Sequence, residues 1–194
     1  MKRLCLILFF VPALCIGCRT AKVPASASTT DVPGNQPVAS TDAPAQVWDF
    51  RDATTWILGD FNPDRLKDLP HSQWFMKGYD EYVPDPKVID ELKAMDMSDL
   101  RITVALGTWC PDSRREVPRF MRIIDQLGFP KEKIRFIGVD INKVAPLDDF
   151  TKLDIVRVPT FIFYENNIES GRIIEVPVSS LEQDMKDILT RKMN

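Results

Sequence analysis

Trp109-Cys110-Pro111-Asp112-Ser113 is the stretch on which the reading of the whole chain turns. Upstream of it Ile102, Val104 and Leu106 alternate, and the residues between them, Thr103 and Ala105, are nearly apolar, as in a strand buried on both faces. Downstream, Val117, Phe120, Ile124 and Leu127 recur at helical spacing, and Gly128 with Pro130 supplies the stop. The five residues therefore read as a turn from a buried strand into an amphipathic helix. Pro111 suits the first helical position, where the N–H it lacks would have no helical partner anyway. Cys110 then falls at the N-cap, with its sulfur expected to face free backbone N–H groups. A thiolate at such a position is stabilised by those donors and by the helix dipole. Arg114 and Arg115 add positive charge nearby, while Asp112 in the first turn opposes it.

Working outward, residues 86–95 read as a helix with Pro86 in its first turn. Ile134 to Val139 is a second strand, Asp149 to Leu153 a short helix and Thr160 to Tyr164 a third strand. Glu165-Asn166-Asn167 is a turn, after which Gly171 to Val176 pairs back as a fourth strand. Ser179-x-x-Glu182 has the form of a capping box opening a last helix through Leu189. Helix, strand, helix, strand, short helix, strand, strand, helix implies early parallel pairing and a late antiparallel hairpin.

Trp109-Cys110-Pro111-Asp112-Ser113 resembles the thioredoxin active site, Trp-Cys-x-x-Cys, with Ser113 in place of the second cysteine. Two further features agree with that family. Pro118 stands where thioredoxins carry a helix-kinking proline, and Val158-Pro159-Thr160 precedes the third strand, where they carry a cis-proline loop. The resemblance spans roughly residues 86–192. It implies an α/β, thioredoxin-like fold, with a mixed central sheet flanked by helices and an N-terminal extension. It also implies that Cys110 is a nucleophile, that Ser113 hydrogen-bonds or orients it, and that Trp109, Pro111, Val158, Pro159 and Thr160 form the substrate-docking surface. No dissociable cofactor is implied. The chain departs from the family at Val104, where thioredoxins bury an aspartate.

Thiolate attack on a disulfide yields a mixed disulfide. Ser113 cannot resolve one, because a hydroxyl forms no S–S bond. Turnover would need an external thiol, which favours isomerisation or client capture over net dithiol reduction. The expected partners are client proteins with thiols or disulfides and an external thiol donor. The alternative is a non-catalytic peptide- or protein-binding module on the same fold.

The N-terminus directs the expected location. Lys2 and Arg3 precede an uncharged apolar run from Leu4 to Ile16, too short to span a bilayer and suited to a signal peptide over 1–17. Gly17-Cys18 resembles the lipobox of bacterial lipoproteins, with Cys18 as the lipidated residue. Simple secretion after cleavage near Ala25-Ser26-Ala27 is the rival. Residues 18–46, rich in Ala, Ser, Thr and Pro, read as a flexible tether. The expected location is the bacterial cell envelope, as a membrane-anchored lipoprotein facing the periplasm. Residues 47–85 hold three of the four tryptophans and read as an aromatic-rich extension packed on a domain of residues 86–194. With Cys5 and Cys15 removed and Cys18 lipidated, Cys110 would be the one remaining thiol.

A formal net charge of −3 gives no basic footprint for nucleic acid. His71, the single histidine, reads as a surface or packed residue, and no Cys/His cluster has zinc-ligand spacing.

Overall fold

The computed structural model describes residues 46–191. The signal segment 1–17, Cys18 and all but the last residue of the tether lie outside the described residues.

Strand β2 (Leu100–Leu106) is the centre of the molecule. It lies parallel to β3 (Ile134–Gly138), with Val104 opposite Phe136, and antiparallel to β4 (Thr160–Glu165), with Val104 opposite Phe161. The parallel step is made by α3 (Pro111–Leu127), the long crossover that parallel strands require. Strand β5 (Ile168–Ile174) returns from β4 through Asn166-Asn167, both at positive φ (50° and 63°), the geometry of a tight hairpin turn. β5 thus starts three residues before the expected Gly171. A fifth strand, β1 (Gly59–Phe61), pairs antiparallel with β3, so the sheet order is β1-β3-β2-β4-β5. Cys110 stands at the head of α3 and Pro159 just before β4, as the thioredoxin-like resemblance implied, and the fold class is the expected one.

Among the described residues, four α-helices bury one face of this sheet. They are α1 (Ser72–Glu81), α2 (Pro86–Lys93), α3 and α4 (Leu181–Thr190). Asp85 caps α2, its carboxylate accepting from the N–H of Lys87 at 2.8 Å. Gly128, at φ 65°, ends α3 in the left-handed conformation. Beneath the helices Val104, Leu106, Phe136 and Phe161 meet Leu92, Phe120 and Met185 in one continuous core. The Phe120 and Phe161 ring centroids are 4.8 Å apart. Each such side chain contributes about 2–3 kcal/mol through burial.

The sequence reading of 47–85 as an appendage to a domain beginning at 86 needs correcting. β1 belongs to the same sheet, and Ile57, Leu66 and Phe75 belong to the same core as β2 and α3. A Cβ on Gly138 would collide with the Ile57 carbonyl, so tightly does this segment close on β3. The capping box also needs correcting. Ser180, not Ser179, caps α4, accepting from the Gln183 N–H at 3.3 Å. Glu182 is buried and turns away, accepting from Tyr82 Oη at 2.6 Å and from the Asp85 N–H at 3.0 Å. It therefore staples α4 to the loop between α1 and α2.

Candidate functional site

Cys110 is the N-cap of α3, with extended backbone angles (φ −79°, ψ 124°) and Pro111 behind it at N1. Its N–H donates to the Gly107 carbonyl at 2.9 Å, and its carbonyl accepts from the Arg114 N–H at 3.0 Å. These bonds fix the backbone of the turn. The sulfur, expected to face the helix amides, makes no capping hydrogen bond. It donates instead at 3.3 Å to the carbonyl of Val158, the residue that precedes cis-Pro159. Cys110 is 7% exposed.

The loop before β4 is well fastened. Thr160 Oγ1 donates to the Arg157 carbonyl at 2.6 Å, and the Pro159 carbonyl accepts from the Glu175 N–H at 2.7 Å. Arg157 and Glu175 form an ion pair at 3.0 Å. Val158, Pro159 and Thr160 are all buried, and the carbonyls of Val158 and Pro159 are taken by Cys110 and Glu175. Beside it runs a groove of about 400 Å³ lined by Val156, Arg157, Thr160, Arg172 and Ile174.

Ser113 is hydrogen-bonded to backbone and not to the Cys110 sulfur. Its Oγ accepts from the Gly107 N–H at 3.2 Å, and the residue is fully buried. The hydroxyl therefore ties the first turn of α3 back to the end of β2, and no hydrogen bond joins it to the sulfur. Trp109 does flank the thiol. Its Nε1 donates to the Val139 carbonyl at 3.0 Å, and its ring packs on a small cluster made by Cys110, Ile137, Val139, Ala145, Phe150 and Val158. Pro111 is exposed beside it. At Gly107 a Cβ would meet the Trp109 indole at 2.5 Å, so this position requires glycine for the indole to lie where it does. Val104, in the place of the family's buried aspartate, is fully enclosed in the apolar core. The one buried acid on α3 is Glu116, whose Oε1 takes Arg115 at 2.6 Å and Arg119 at 3.2 Å.

The sequence reading missed the part played by residues 48–57. Phe50 lies under the Arg114 guanidinium, 4.6 Å from centroid to Cζ. Trp56 packs 6.4 Å from Trp109 and donates from Nε1 to the Phe50 carbonyl at 2.9 Å. His71 lies 5.9 Å from both Phe50 and Trp74, ring to ring. Burial, helped by the Arg65 charge, pushes its pKa down to about 4. The signal for this arrangement was the aromatic density of the segment, which identifies packing but not its target. No group of three or more His, Cys, Asp or Glu side chains among the described residues is placed to hold a metal ion.

No family model matches the chain. Thioredoxin H5 of Oryza sativa subsp. japonica is 28% identical over 85 residues, covering 44% of this chain. The chain spans 58% of that relative's length. Among solved structures, an HIV epitope-scaffold protein superposes with a TM-score of 0.46 at 17% identity, covering 71% of this chain and 93% of its own. A protein of unknown function from Pseudomonas aeruginosa gives 0.44 at 17% identity, covering 71% and 83%. Thioredoxin O2 from Arabidopsis thaliana, in its oxidized state, gives 0.35 at 19% identity, covering 54% and 83%. The sequence likeness supports a distant thioredoxin-like relationship; the fold itself rests on strand order, strand direction and the placement of Cys110 against Pro159.

Proposed function

We propose that this thioredoxin-fold chain is a monothiol protein of thiol–disulfide exchange, acting on envelope proteins through Cys110 while anchored to the membrane by a lipid on Cys18. The observation that carries the reading is the sulfur at the N-cap of α3, 3.3 Å from the carbonyl that precedes cis-Pro159. The candidate nucleophile and the backbone of the loop that leads into β4 are thereby adjacent. A client segment that takes the Val158 carbonyl in place of the Cys110 thiol would present its disulfide to the sulfur.

The exchange balances without a cofactor. The Cys110 proton is lost to water, and the thiolate attacks one sulfur of a client disulfide. That S–S bond breaks, a Cys110–client disulfide forms, and the second client sulfur leaves as a thiolate. A second thiol, from the client itself or from a small-molecule donor, then attacks the mixed disulfide and releases Cys110 as thiolate. No net oxidation occurs when the second thiol belongs to the client, so the outcome is isomerisation. Ser113 contributes by pinning the turn to Gly107, and Trp109 by walling one side of the sulfur.

A non-catalytic peptide-binding module is the second reading. It draws on the 7% exposure of Cys110 and on the engagement of its thiol by the Val158 carbonyl. Labelling of Cys110 with iodoacetamide across pH, read on its peptide by mass spectrometry, separates the two. The monothiol reading expects fast labelling near neutral pH and trapped mixed disulfides that vanish in Cys110→Ser. Labelling only after unfolding, with peptide binding retained in Cys110→Ser, supports the binding module instead.

A further inference from the structure

Three arginines occupy the first turns of α3, and two of them are neutralised. Arg115 pairs with Asp112 at 2.8 Å and with Glu116 at 2.6 Å, and Arg119 pairs with Glu116 at 3.2 Å. Arg114 has no carboxylate partner among the described residues. Its guanidinium rests on the Phe50 ring, where burial lowers its pKa from the ordinary arginine value and the charge of Cys110 acts against that lowering. Arg114 is rooted one helical turn from Cys110, its N–H donating to the Cys110 carbonyl at 3.0 Å, and a partly desolvated cation there is screened less than an exposed one. Phe50 is held in turn by the Trp56 indole on its carbonyl and by His71 against its ring.

Resting on the monothiol reading, we propose that Phe50 is a positioning residue for the reaction. Its ring fixes Arg114 at the Cys110 end of α3, so that the guanidinium favours the anionic sulfur both before attack and on release from the mixed disulfide. A free arginine side chain would carry its charge out into solvent, where water and salt weaken its field. A guanidinium on an aromatic face keeps a defined position. The 46–57 segment therefore supplies part of the thiol's electrostatics from about sixty residues upstream of it.

The test uses the full chain and neutral iodoacetamide, with the Cys110 peptide quantified by mass spectrometry from about pH 6 to about pH 10. Phe50→Leu is expected to slow labelling near pH 7 by roughly three- to tenfold. It should leave the rate near pH 10 unchanged, where the thiol is ionised without help. Phe50→Tyr, which keeps the ring, should restore the native profile. Arg114→Gln should reproduce the slowing, and adding Phe50→Leu to Arg114→Gln should change nothing further. Equal slowing at both ends of the pH range, or an additional loss in the Arg114→Gln background, overturns the proposal in favour of plain packing. A fast native rate untouched by Phe50→Leu overturns it alone. A native rate no faster than that of a free thiol overturns the monothiol reading, and this inference with it.

Discussion

Phe136 and Ile137 are neighbours in β3, yet their side chains enter different surroundings. Phe136 joins the large core beneath the four helices, while Ile137 joins the small cluster around Cys110, Val139, Ala145, Phe150 and Val158. Successive residues of a strand point to opposite faces, so the two clusters lie on the two sides of the sheet. The helix side is roofed by regular elements whose backbone groups bond internally. The Cys110 side is roofed by the segment 139–158, whose one helical piece is the 3-10 turn Phe150–Leu153. Regular elements offer extensive apolar burial and few free backbone groups. An irregular segment buries less, but it can aim a carbonyl such as that of Val158 at a sulfur. Stability and chemistry are thus divided between the faces.

That division is broken most directly by one truncation on each side. Phe120→Ala removes a ring at 1% exposure from the helix side and is expected to cost about 3–5 kcal/mol. Phe150→Ala removes a ring at 5% exposure from beneath the irregular segment and is expected to cost about 3 kcal/mol, the low end of that range. Urea unfolding compares the two, and iodoacetamide labelling under native conditions adds the second axis. Phe150→Ala should speed Cys110 labelling more than Phe120→Ala does. Equal costs and equal labelling would mean that the faces are energetically alike.

Acid sharpens the same comparison. His71 precedes α1 on the helix side, 5% exposed, with its Nδ1 lacking a hydrogen-bond partner and its pKa pushed down to about 4 by burial. The unfolded chain takes up that proton near pH 6.5, the folded chain near pH 4. Between those values the unfolded state binds more protons, so stability falls as pH falls through the window and is fully present above it. The expected loss from this one group is about 2–3 kcal/mol. Replacing His71 with Phe should flatten the urea midpoint over that window, and a midpoint slope unchanged by the substitution would remove His71 from the account.

The parts legible in the sequence are those that short-range chemistry dictates. The period of Val117, Phe120 and Ile124 and the punctuation by Pro111 and Gly128 defined α3, and the same punctuation put Cys110 at its cap. Val158-Pro159-Thr160 marked the loop that meets it. What stayed hidden depends on partners distant in sequence. The carbonyl of Val158 lies 48 positions from Cys110, and a backbone atom carries no residue signature. β1 is three residues, Gly-Asp-Phe, too short to show alternation, and its place is set by the closeness of Gly138 to Ile57. Ser179-x-x-Glu182 copied the spacing of a capping box, but Tyr82, 100 positions away, competes successfully for the carboxylate of Glu182.

Ser113 stands at the junction of the two faces and gives the smallest of these effects. The resemblance made it an orienting group for the sulfur, whereas its Oγ accepts from the Gly107 N–H at 3.2 Å. Ser113→Ala deletes that acceptor and leaves a buried N–H unpaired, which costs about 1–2 kcal/mol. No hydrogen bond to Cys110 is lost, so the pH profile of labelling should keep its midpoint and its shape. Ser113→Cys differs in kind, because it installs a second sulfur in the position a resolving thiol occupies. Loss of stability with an unmoved profile in Ser113→Ala makes Ser113 a brace between β2 and α3. A displaced profile with unchanged stability would return it to the thiol and would mean that the Gly107 bond is exchanged for one to sulfur when the thiolate forms.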